Sequence, residues 1–166
     1  MENIKDRIFS IFRATGRPGI EAVINYLESS SYFTRGCYKH HKEHGGLAQH
    51  SIEVYDHMIA HAKSLFPSDS IAVVALFHDL GKTVRRDGTG HGHRSVRILE
   101  GLGFELTPAE RKAIGNHHDH NPLDYATCPL LCALSEGDCT STGRWKRANR
   151  DKKAGKGITL NRKKND

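Results

Sequence analysis

IAVVALFHDLGK, residues 71–82, decides the fold. The side chains from Ile71 to Phe77 are all apolar. As a helix, this segment has no polar stripe to turn toward water, so it belongs at the centre of a helical domain. The reading predicts a helix over 69–80, with Ser68 as its N-cap and Gly81 as its terminator. His78 and Asp79 then fall in the last turn of a buried element. A buried carboxylate is costly unless it is paired or binds a cation. Two readings follow for this helix end: a His-Asp hydrogen bond that only supports the fold, or part of a metal site.

Outward from that centre the chain keeps a helical period. Residues 47–66 form a helix with Leu47, Val54, Met58 and Leu65 inward, closed by Pro67. Earlier, ENIKDRIFSIFR (2–13) carries Ile4, Ile8, Ile11 and Phe12 at helical spacing. A second helix follows with Pro18 in its first turn and Ile20, Val23, Ile24 and Leu27 as its stripe, ending near Ser30. Residues 32–46 read as a loop. Downstream come a polar loop (83–92), a short helix (93–102) and the capping box Thr107-Pro108-Ala109-Glu110, which opens a helix to about His118. A loop over 119–127 is broken by Pro122, and a last helix spans 129–140. No strand and no internal repeat emerges. The fold class is all-α, a bundle of about six to seven helices. Residues 1–143 make one domain, with helices over 2–30 packed on a core over 45–140, and 144–166 form a basic tail.

Composition narrows the function classes. No apolar run in the 166 residues approaches the ~18 needed to span a bilayer. MENIKDRIFS carries charges where a secretory signal is apolar. A cytoplasmic protein without membrane contact is expected. The net charge of +6 is uneven. From Arg144 onward there are ten Lys or Arg against two Asp; the rest holds 15 Lys or Arg against 17 Asp or Glu. The tail is either a solvated terminus adding little to stability or a contact for nucleic acid. Cys37, Cys128, Cys132 and Cys139 include no C-x-x-C pair and read as buried or inert thiols of a reducing compartment. The twelve histidines, concentrated between His40 and His118, call for metal or proton chemistry.

His50 opens the helix before the central one, and Asp138 sits in the apolar last helix. Val54 and Leu134, each four residues away, belong to inward stripes, so both ligands face the interior. Imidazole and carboxylate together suit a divalent cation such as Fe, Mn, Co, Ni or Zn. The order His50 … His78-Asp79 … Asp138, inside GGLAQHSIEV, ALFHDLGK and ALSEGD, resembles the HD-domain superfamily of metal-dependent phosphohydrolases over roughly Gly45 to Thr140. The resemblance implies that these four hold one metal. GHGHRSVRIL and IGNHHDH resemble the elements that hold a second metal in some members, through His91 (or His93), His117 and His118.

What the resemblance implies chemically is hydrolysis of a small phosphate ester or nucleotide, with Asp79 bridging two ions. His117 or His118 would stabilise charge or protonate the leaving group if free of metal. Lys82 either neutralises a substrate phosphate or only caps the helix dipole. His40, His41 and His44 rim the pocket; His57 and His61 continue the His50 helix toward solvent. Arg144 and Arg147 are candidate phosphate clamps at the mouth. The absence of a Gly-Tyr-Pro element counts against the cyclic-di-GMP branch. Two alternatives use the same ligands: an HD-fold di-iron oxygenase, and a non-catalytic nucleic-acid-binding module with a structural metal.

Overall fold

The computed structural model describes residues 3–37, 40–85, 90–119 and 122–143. The basic tail from 144 to 166, with Arg144 and Arg147, lies outside the described residues. Among the described residues there is no strand, and no helix is long and apolar enough to cross a membrane. The helices are α1 (Ile4–Ala14), α2 (Ile20–Ser29), α3 (Gly46–Ala62), α4 (Ser68–Phe77), α5 (His91–Gly101), α6 (Pro108–Asn116), α7 (Pro122–Thr127) and α8 (Pro129–Ser141), with a 3₁₀ turn over Leu80–Thr83.

The all-apolar α4 is the axis. Every residue from Ile71 to Phe77 is buried, and α1, α3, α6 and α8 all pack on it. Phe12 of α1 stacks on Phe77 with centroids 4.1 Å apart and planes 10° from parallel. The N-terminal helices therefore share the core, since Ile8, Phe12, Val23 and Leu27 are fully buried within it. A buried aliphatic or aromatic side chain contributes about 1.5–3 kcal/mol relative to exposure, so this cover stabilises α4 substantially.

Several boundaries differ from the sequence reading. The described residues hold eight helices rather than six to seven, because Pro122 starts the short α7 inside the expected loop. Pro18 precedes α2 rather than opening it, because Gly19 turns the chain at φ 81°. The third helix stops at Ala62, where the Leu65 and Phe66 N–H groups both fold back on the Ala62 carbonyl. Pro67, not Ser68, occupies the N-cap of α4. The largest departure lies at the decisive segment. α4 ends at Phe77, and Gly81 sits inside the 3₁₀ turn instead of terminating the helix. Its reason is packing: a Cβ on Gly81 would stand 2.2 Å from the His91 carbonyl oxygen, so only glycine lets this turn lie against α5.

Candidate metal centre

Seven side chains from five places along the chain meet at that break. His50 lies in the second turn of α3, and Asp138 faces it from α8. His78 caps the C-terminus of α4, and Asp79 follows with φ −100° and ψ 6°, the sparsely allowed region between helix and strand. His91 is the first residue of α5, His117 the C-cap of α6, and His118 the next residue. The first six are buried; His118 is half-buried. Gly92 makes the α5–α6 approach possible, because a Cβ there would fall 2.4 Å from the Ile114 carbonyl oxygen.

Asp79 is the hub. Its Oδ2 lies 3.6 Å from Nε2 of both His50 and His78. Its Oδ1 lies 3.0 Å from His91 Nε2 and 3.7 Å from His117 Nε2. Around the first pair, His50 Nε2 is 3.1 Å from His78 Nε2 and 3.1 Å from Asp138 Oδ1. Around the second, His91 Nε2 is 3.1 Å from His117 Nε2. Asp138 Oδ2 lies 4.0 Å from His118 Nε2. Four overlapping ligand groups result: His50, His78 and Asp138; His78, Asp79 and His117; His91, His117 and His118; and, at the rim, His40, His41 and His50.

The protons support a cation. Nδ1 of His78 is 2.8 Å from the Ala75 carbonyl, and Nδ1 of His117 is 2.8 Å from the Ile114 carbonyl. A carbonyl only accepts, so each Nδ1 carries the proton and the Nε2 of the neutral ring keeps a lone pair. Neighbouring ligands bonded ~2.1 Å from one ion at right angles stand about 3 Å apart, the spacing of both imidazole pairs. Asp79 Oδ1 is buried without a well-directed hydrogen bond, although His91 Nε2 is close, and His91 Nδ1 also lacks one. These residues fit a divalent cation better than they satisfy one another.

Charge states agree. Burial pushes His78 down to about 3, and burial with the neighbouring His117 pushes His118 down to about 2. Both are neutral at physiological pH, as ligation requires. Burial opposes ionisation of Asp79 and Asp138, yet Lys82 and His78 hold the first, and His50 the second, below the ordinary carboxylate range. The Lys82 ammonium is buried directly on Asp79 Oδ2. It thus stands at the edge of the cluster.

His93 is exposed, 3.5 Å from Asp119, and outside the cluster, so His91 is the residue brought to the site. His40 packs on His50 with ring centroids 4.6 Å apart, His41 lies beside it, and His44 is exposed. His61 is exposed, but His57 is half-buried, since its ring stacks on His61 at 4.3 Å while burial lowers its pKa. Of the thiols, Cys37 and Cys128 are buried and burial raises Cys37 to about 12. Cys132 is exposed and Cys139 partly so, because only one side of α8 meets the core. Sequence reasoning missed three supporting residues. Ser95 Oγ takes the Gly81 N–H at 2.8 Å and reaches the His78 carbonyl at 2.8 Å, tying the 3₁₀ turn to α5. Glu53 and Ser141 stand three residues after His50 and Asp138, and that spacing was the available signal.

Against known families, residues 47–156 match the model described as HD domain, well over half of the chain. No curated protein and no solved structure matches the chain.

Proposed function

The chain belongs to the HD-domain family, and on that premise we propose that it is a metal-dependent phosphohydrolase acting on a nucleotide or related phosphate ester. The family consists largely of metal-dependent phosphohydrolases. One observation carries the reading: the two oxygens of Asp79 each face a different imidazole pair, as a carboxylate bridging two ions would. A divalent cation held there supplies Lewis acidity and a water acidified toward a pKa of ~7.

The chain's own groups do the rest. His50, His78 and Asp138 form one ligand face, and His91, His117 and His118 the other. Lys82, buried on Asp79, would take a phosphoryl oxygen of the substrate. In the overall reaction a water oxygen–phosphorus bond forms, the ester oxygen–phosphorus bond breaks, and the leaving oxygen ends protonated. With Nδ1–H committed to the backbone, Nε2 is the nitrogen that His117 would offer to a cation or, if free of metal, to the leaving group. Beside His91, an open groove of about 620 Å³ is lined by His93, Arg94, Arg97, Arg111 and Glu100, with Arg111 paired to Glu100.

The test is metal analysis of anaerobically prepared protein, followed by phosphomonoesters and phosphodiesters with added manganese, cobalt or nickel. Metal-dependent turnover is expected. Asp79→Ala should abolish it with helicity intact by circular dichroism, since loss of a bridging ligand costs more than the ~10–100-fold typical of a supporting residue. Near wild-type turnover by that variant would reject the reading.

A further inference from the structure

The proton positions around His50 are decided by two residues outside the ligand set. Ser141 Oγ donates to Glu53 Oε2 at 2.7 Å. An ionised carboxylate only accepts, and a serine has one proton to give. Ser141 Oγ therefore faces His50 Nδ1, 3.0 Å away, as an acceptor, and Nδ1 must carry a proton. In the neutral ring Nε2 then keeps the lone pair that faces the site, where Asp138 Oδ1 stands 3.1 Å away and competes as an acceptor. The backbone performs this task for His78 and His117; for His50 it falls to a carboxylate and a hydroxyl from two different helices, α3 and α8.

Glu53 does more than hold Ser141. Its Oε1 accepts from Gln49 Nε2 at 2.8 Å, and its Oε2 also lies 3.0 Å from His41 Nε2. His41 sits at φ 42°, a conformation uncommon for a residue with a side chain. Such a residue persists where its surroundings over-determine it. Here the Cys37 N–H bonds the His41 carbonyl at 2.7 Å, and Glu53 holds the ring. His40 then packs on His50.

We propose that Glu53 and Ser141 are positioning residues: Glu53, through Ser141, fixes the proton of His50 on Nδ1 and its Nε2 toward the metal site, and the same carboxylate anchors the His40–His41 loop over that ligand. The inference rests on His50 being a metal ligand, as in the proposed function, but the tautomer itself is readable without metal.

The experiment is long-range proton–nitrogen NMR of the imidazoles in the metal-free full chain at mildly alkaline pH, beside competition titrations with manganese. Wild-type His50 should carry its proton on Nδ1. Ser141→Ala removes the acceptor, and Glu53→Ala frees the Ser141 hydroxyl to donate to Nδ1; both should move the proton toward Nε2. Manganese affinity should fall about 10–100-fold in both variants and recover in Ser141→Thr, which keeps the hydroxyl. Only Glu53→Ala should shift the His41 resonances. A wild-type proton on Nε2, or an Nδ1 proton unmoved in both variants, overturns the relay. Should Ser141→Ala not fold, Glu53→Ala decides alone, being a helical, half-buried position where alanine is favourable. Tautomers that behave as described in a protein that binds no divalent metal would sink the hydrolase reading and leave the relay standing.

Discussion

Arg17 and Glu110 are 93 positions apart and meet in a forked pair, Nη1 at 2.7 Å and Nη2 at 3.1 Å. Glu110 also accepts from Ser70 Oγ at 2.7 Å and, as the capping-box carboxylate, from the Thr107 N–H at 2.9 Å. The capping box was legible from four residues; Arg17 was not, because nothing local marks which distant cation closes it. Burial opposes ionisation of Glu110, but Arg17, the Thr107 backbone and Ser70 together hold its carboxyl below the ordinary 4.5. A carboxyl depressed by folding contributes stability that is full above its unfolded pKa and lost as pH falls through the folded one. Thermal melts should show wild type more stable than Glu110→Gln at neutral pH, with the gap narrowing as pH drops below 4.5. Arg17→Ala, which strands a buried charge, should cost about 3–5 kcal/mol at neutral pH. A gap independent of pH would mean the carboxylate's charge is not what matters.

At the scale of elements, the break after Phe77 matters most. An uninterrupted helix to Leu80 would keep His78 and Asp79 on successive helical positions; ending at Phe77 lets Asp79 turn both oxygens into the site. The α5–α6 contact has the same importance for the second imidazole pair. α5 begins at His91, two residues earlier than its apolar period suggests, since Gly90 and Gly92 carry no apolar signal for where the helix starts. Gly92→Ala would push the α5 start off the Ile114 and Gly115 carbonyls. Overpacking of this kind costs about 1–3 kcal/mol. It should also part His91 from His117. The expected result is a lowered melting temperature with a reduced metal-to-protein ratio, while His50, His78 and Asp138 still bind. An unchanged ratio would place the second pair outside metal binding.

For the whole molecule, a cation that binds only the folded chain adds stability by mass action, about 2.7 kcal/mol at a hundredfold excess over Kd. For a domain of this size each kcal/mol moves the melting temperature by about 2–4 °C. Chelation should therefore lower it by roughly 5–10 °C, and restored manganese should recover it. A melt indifferent to chelator would argue that the cluster is satisfied without metal. The ligand-bearing helices already pack on one another, α3 with α8, α6 with α8 and α5 with α6. A cation bound there would add one further tie among α3, α5, α6 and α8 at the α4 end.

What the sequence by itself determined were properties carried by neighbours along the chain. The all-α class, the central α4 and the capping box follow from apolar period and local residue chemistry, and the candidacy of His50, His78, Asp79 and Asp138 as ligands from that chemistry together with the motif words around them. What only the tertiary structure decided were relations between distant side chains. His91 rather than His93 enters the cluster because the first faces Asp79 and the second faces Asp119 on the exposed side. Asp79 divides its oxygens because α3 and α5 approach it from different directions. Glu53 finds Ser141 across 88 residues because α3 packs on α8. Helical period reveals which face of an element turns inward, but not which residue of another element will stand against it; that is set by how the helices close-pack.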